Sequence, residues 1–167
     1  MFFVRKRFDT DTLTLLRSLW GCVSPGPTAA LQRRIDAQWG ARGEAVACLS
    51  VRSAFDLLLQ CVDWPDGSEV AMTAVTIPHM ASLVRAHGYV PVAVDLDLAT
   101  MSPTLAMLRA ALTPRTRAVL IAPLFGGRAD IEELAKVARE QGLLVIEDCA
   151  QCYDPGVRAR GVADVEL

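Results

Sequence analysis

The sequence carries no surplus of either charge: 17 lysines and arginines stand against 19 acidic residues, a formal net charge of −2. The basic residues are scattered. That excludes the electrostatic footprint of a nucleic-acid-binding chain and the polybasic cluster of a membrane-surface protein. No apolar run approaches the roughly 18 uncharged residues that a membrane span requires. The segment Met1–Arg7 begins like a leader, but Asp9, Asp11 and Arg17 interrupt what would be its apolar part, so the expected location is the cytoplasm. The partner that remains is a small molecule.

Other signatures are missing as well. There is no Gly-rich P-loop and no G-x-G-x-x-G, which leaves nucleotide binding by those routes without support. Of the two histidines, His87 falls in the last turn of a helix and His79 stands alone after Pro78. Neither reads as a metal ligand, and no Ser-His-Asp or Cys-His arrangement can be drawn from the spacing. The five cysteines are an odd number and read as reduced thiols. Cys149-Ala150-Gln151-Cys152 is a formal C-x-x-C pair. Zinc would need a second pair or a nearby histidine pair, and a thioredoxin-like motif would stand early in a small domain, so no metal site is expected here.

What is present is the composition of a globular α/β chain, 52% hydrophobic and 22% charged. From Glu44 onward short apolar runs alternate with amphipathic stretches. This pattern predicts a three-layer α/β fold in which helices cover both faces of a mostly parallel sheet. Strands are expected over Ala45–Leu49, Glu69–Ala74, Val90–Asp95, Ala118–Leu124 and Leu143–Glu147, and helices over Ser53–Val62, Met80–His87, Pro103–Leu112 and Ile131–Gln141. Gly88 and Gly142 stand where helices end in a left-handed residue, and Pro103 where a first turn tolerates a missing donor. Residues 1–43 differ. Two helices, Asp9–Trp20 and Thr28–Trp39, are separated by Ser24-Pro25-Gly26-Pro27 and read as an N-terminal helical arm on a domain formed by residues 44–167.

In open parallel sheets ligands bind beyond the carboxyl ends of the strands. Two loops there are unusual. Ser50-Val51-Arg52-Ser53 places two hydroxyls and a guanidinium at a helix N-terminus, a plausible phosphate cradle. Taken alone, the loop is better read as an N-cap beside a solvated Arg52. Glu147-Asp148-Cys149-Ala150-Gln151 follows a buried strand, where a carboxylate needs a cation, a metal or several donors. Asp148 is the best single candidate for function, facing either magnesium or a protonated heteroaromatic nitrogen, and Gln151 could donate to an oxygen of the same ring. Asp95-Leu96-Asp97 matches a short metal-binding pattern of glycosyltransferases but reads as turn and capping chemistry.

Taken in order, these segments resemble the DegT-type sugar aminotransferases, fold-type-I enzymes dependent on pyridoxal 5'-phosphate (PLP). The resemblance runs through Ser50-Val51-Arg52-Ser53-Ala54, Gly67–Val70 with Thr76, His87–Asp95, Ala111–Val119, Leu124-Phe125-Gly126 and, most specifically, Val145-Ile146-Glu147-Asp148-Cys149-Ala150-Gln151. It implies the N-terminal portion of such an enzyme, with residues 44–167 as an incomplete large domain. It implies that Asp148 pairs with the pyridine nitrogen, that Gln151 contacts the ring hydroxyl, and that Arg52 and Ser53 hold the phosphate. Val51 stands where many members have glycine, and Ile77 where many have an aromatic that stacks on the cofactor, which implies stacking that is either weakened or shifted toward His79. The implied substrates are an amino donor, glutamate, and a keto sugar nucleotide, with a homodimer for the full-length protein. The Schiff-base lysine is expected beyond Leu167, because Lys6 and Lys136 match no such position, which would leave these residues alone inactive. The competing readings are a metal-dependent glycosyltransferase or phosphoacceptor domain, using Asp95 and Asp97 or Asp148, and a non-catalytic relic.

Overall fold

A computed structural model describes residues 10–24, 26, 28–39, 45–125, 131–151 and 162–167. Pro25, Pro27, Lys6, Gly126 and Cys152, all singled out above, lie outside the described residues. The chain divides into two compact units, residues 1–47 and 48–167.

The first unit holds α1 (Thr12–Val23) and α2 (Thr28–Trp39). Helix α1 begins later than Asp9 because the Asp11 carboxylate accepts from the Thr14 N–H at 2.6 Å and so caps the first turn. No residue of α1 is buried. After α2, the Gln32 Nε2 donates to the Ala45 carbonyl at 2.8 Å.

The strand expected over Ala45–Leu49 does not form: residues 45–48 have no regular structure, and Val46 and Leu49 are exposed. A strand's backbone groups are satisfied only by a neighbouring strand, and this run pairs with none of the five described strands. Apolar composition without a ladder partner does not make a strand.

In the second unit, α3 (Val51–Cys61) leads into β1 (Glu69–Thr73), followed by α4 (Pro78–Ala86), β2 (Val90–Val94), α5 (Leu105–Ala111), β3 (Thr116–Ile121), α6 (Ile131–Glu140), β4 (Leu144–Glu147) and β5 (Val165–Glu166). The strands are all parallel, in the order β2-β1-β3-β4-β5. Strand β5 was not anticipated. Two residues carry too little periodicity to announce it, and besides its backbone pairing with β4 a side chain helps to hold it. One Asp164 carboxylate oxygen accepts from the Val145 N–H at 2.8 Å and the other from Arg139 of α6 at 3.0 and 3.1 Å.

Alternation along the strands divides the core in two. Val70, Met72, Ala118, Leu120 and Ile146 face α3 and α4, where Phe55, Leu59, Met80 and Val84 cover them. Ala71, Val119, Ile121 and Val145 face α5 and α6, covered by Leu108, Leu134, Ala135 and Ala138. This is the expected three-layer arrangement. Both helix stops are as expected: Gly88 (φ +79°) and Gly142 (φ +71°) are left-handed. At the first, Tyr89 N–H donates to Val84 and Gly88 N–H to Arg85, and at the second Leu143 N–H donates to Ala138 and Gly142 N–H to Arg139, in each case the paired bonds of a Schellman ending. Pro103 does not open α5. Thr104 caps that helix by accepting from the Met107 N–H at 3.2 Å, so Pro103 precedes the cap. Similarly Ser50 caps α3, and Arg52 and Ser53 lie inside its first turn.

Candidate functional site

The strand order reverses direction between β1 and β3: the chain leaves β1 toward β2 and leaves β3 toward β4. At such a reversal the flanking connections diverge and open a crevice at the carboxyl edge, the place where this class of sheet binds its ligands. Because the strands are parallel, every helix that alternates with them begins at this edge. The N-termini of α3 and α4 therefore face the same side of the sheet as the ends of β1, β3 and β4.

Asp148 is the first residue after β4 and is buried. Its N–H donates to the Ile121 carbonyl at 2.9 Å, tying the end of β4 to the end of β3. One carboxylate oxygen, Oδ1, accepts from the Ala150 N–H at 3.0 Å. The other has no hydrogen-bond partner among the described residues. A buried carboxylate with one oxygen left over is suited to a cationic partner.

Gln151 closes the turn. Its Oε1 accepts from the Phe125 N–H, just after β3, at 3.0 Å. Phe125 adopts a left-handed backbone (φ +56°) while its ring is 80% exposed. Neither the conformation nor the bond was legible in the sequence, since phenylalanine is not a residue that announces positive φ.

At the end of β1, Ile77 serves as N-cap of α4 without a side-chain capping bond, and its side chain is exposed. His79 is exposed in the first turn of that helix. On α3, the Ser50 Oγ accepts from the Ser53 N–H at 3.2 Å and lies 3.1 Å from the Ser53 Oγ. Arg52 is exposed, and Val51 is half-buried against the α3 and α4 core cluster. The structure thus puts Asp148 and Gln151 in one turn, Ile77 at the head of α4, and Val51, Arg52 and Ser53 at the head of α3, all at the carboxyl edge.

Asp95 and Asp97 are occupied with turn geometry. Asp95 accepts from the Leu96 N–H at 2.8 Å, and Asp97 from the N–H groups of Ala99 and Thr100 at 2.7 and 3.2 Å. Among the described residues no group of three or more His, Cys, Asp or Glu side chains could hold a metal ion.

Residues 5–165 match the model of the DegT/DnrJ/EryC1/StrS aminotransferase family. The chain is 37% identical over 117 residues to the UDP-N-acetyl-3-dehydro-alpha-D-glucosamine 3-aminotransferase of Acidithiobacillus ferrooxidans, covering 70% of this chain and 32% of that protein. It is 35% identical over 116 residues to the GDP-perosamine synthase of Caulobacter vibrioides, covering 70% and 31%. The aminotransferase TlmJ from Streptoalloteichus hindustanus superposes with a TM-score of 0.76 at 25% identity, covering 96% of this chain and 46% of that one. The chain therefore spans about a third of the length of the curated relatives it matches. With a family match over nearly its whole length and the α/β sheet of its structural neighbours, the chain belongs to the DegT/DnrJ/EryC1/StrS aminotransferase family.

Proposed function

We propose that these residues form the cofactor cradle of a PLP-dependent aminotransferase that moves an amino group from an amino acid, glutamate, to a keto sugar nucleotide. The observation that carries the reading is Asp148: a buried carboxylate at the carboxyl end of β4, beside the reversal of strand order, with one oxygen unpartnered among the described residues. The residues present fit PLP. Asp148 offers the anion that a protonated ring nitrogen needs, Gln151 offers an amide donor to a ring oxygen, and the α3 N-terminus with Arg52 and Ser53 offers N–H, guanidinium and hydroxyl groups to a phosphate. When bound, PLP supplies an electron sink for the carbon that loses its proton. Asp148 keeps the ring nitrogen charged and so sets the strength of that sink; it takes no proton from substrate. Val51 allows the backbone a less close approach to phosphate than glycine would, and the exposed Ile77 offers an apolar contact where an aromatic would stack.

The relatives named above support an amino-sugar product. Lys136 is exposed on α6, whose opposite face covers the sheet, which supports the reading that it is not the lysine that holds PLP covalently. The 167 residues by themselves are therefore expected to bind PLP without forming keto-acid product from glutamate, and a homodimer is the expected state of the longer enzyme.

Titration with PLP, followed by quenching of tryptophan fluorescence, tests the assignment. Asp148→Asn removes the charge while keeping the shape, and affinity should fall about tenfold or more, the worth of one charge-assisted hydrogen bond. Unchanged affinity would remove Asp148 from the cradle.

A further inference from the structure

The bond between Gln151 and Phe125 determines which end of the amide faces a ligand. A backbone N–H can only donate, so the atom of Gln151 that meets it at 3.0 Å must be the carbonyl oxygen. The amide NH2 is thereby left with no hydrogen-bond partner among the described residues. A ring oxygen acting as acceptor can be met only by that NH2. The reverse orientation would set oxygen against oxygen.

The donor is itself held in an unusual way. Phe125 is left-handed, a conformation that is unfavourable for a bulky L-residue, and its ring is exposed, so side-chain packing does not hold it there. Such a conformation persists where its surroundings over-determine it, characteristically beside functional sites. Here the preceding Leu124 is buried and β3 is tied to β4 through the Asp148 N–H.

We infer that Phe125 is a positioning residue for the cofactor ring. Its backbone N–H, turned by a left-handed φ, clamps the Gln151 carbonyl oxygen and commits the amide NH2 to the ring oxygen. This inference rests on the PLP reading above. Asp148 and Gln151 then act as a pair set by two strands, the first directly at the end of β4 and the second through the end of β3.

Two pairs of variants test it in the 167-residue chain, with amide hydrogen exchange at residue 125 and PLP titration as separate readouts. Gln151→Glu keeps an acceptor for the Phe125 N–H but has no donor. Exchange at residue 125 should stay slow while PLP affinity falls about tenfold, the loss of one hydrogen bond to the ring. Gln151→Leu removes both, and exchange should quicken as affinity falls. At residue 125, asparagine tolerates positive φ and valine does not. Phe125→Asn should therefore retain slow exchange and PLP affinity, whereas Phe125→Val should lose both and shift the absorbance of bound PLP toward that seen in Gln151→Leu. Unchanged exchange in Gln151→Leu would overturn the clamp. Equal loss of PLP affinity in Phe125→Asn and Phe125→Val would overturn the positioning role and assign the effect to the ring. Failure of the unsubstituted chain to bind PLP would overturn the cofactor reading, and is distinguishable because the exchange rates do not involve PLP.

Discussion

At the scale of single residues, two buried carboxylates illustrate opposite uses of the same group. Asp148, at the carboxyl edge, keeps an oxygen available. Glu69, at the amino end of β1, has both of its oxygens occupied: Oε1 accepts from Arg115 Nε and Nη2 at 3.0 and 2.6 Å, and Oε2 accepts from the hydroxyls of Thr113 and Thr116. The Thr113 hydroxyl, and after it Arg115, holds the Glu69 pKa below its ordinary value of 4.5 against the opposing effect of burial. Such a carboxylate stays ionised in the folded chain at pH values where the unfolded chain protonates it. Its stabilisation is complete above the ordinary value and is lost as pH falls through the folded pKa. Urea unfolding from roughly pH 3 to pH 7 should show stability rising with pH at the acid end, and Glu69→Gln should flatten part of that rise and cost about 1–3 kcal/mol at neutral pH. An unaltered acid limb in the variant would contradict this account. Glu69 also spans the register shift between β1 and β3, which occurs between Glu69 and Val70. Nothing about its position in the sequence marked it for that work, because its partners lie 44 to 47 residues away.

Elements were legible where their signals are local. The Gly88 and Gly142 stops, the amphipathic face of α6 and the apolar runs of β1, β3 and β4 all appear within a few residues of where the pattern puts them. The two glycines make a direct comparison. At both, alanine would be forced into positive φ, at a cost of about 1 kcal/mol. At Gly88 an added Cβ would also meet the Asp66 carboxylate at 3.2 Å, whereas at Gly142 nothing lies within 4 Å. Gly88→Ala should therefore lower the melting temperature at least as much as Gly142→Ala, and the reverse order would show that the Asp66 carboxylate moves aside at no cost. Elements were misread where the deciding partner is distant or absent. Ala45–Leu49 has the composition of a strand but no described strand beside it, and β5 has almost no composition signal but is secured by Asp164 bonding to Arg139 and to the Val145 N–H.

For the α/β unit as a whole, the sheet separates two apolar clusters that share strands but not helices. Phe55→Ala should cost about 3–5 kcal/mol and Leu134→Ala about 2–5 kcal/mol, since each empties a fully covered position. Because the sheet lies between the two side chains, the double variant should be additive within about 0.5 kcal/mol in urea unfolding, and a larger coupling would mean that the sheet transmits strain between its faces. The alternation of apolar runs and amphipathic stretches determined the α/β class, the parallel sheet and most helix ends. The order of segments also carried the family resemblance and the candidacy of Asp148 and Gln151. The class and the helix ends follow from period, turn chemistry and capping, which act over a few residues, and the family from the resemblance of ordered segments. Tertiary structure alone decided the strand order and the crevice it opens, the docking of β5, and the left-handed Phe125 whose N–H turns the Gln151 amide. Each of these depends on groups far apart in the chain, and a backbone donor becomes specific only when the fold puts an acceptor in front of it.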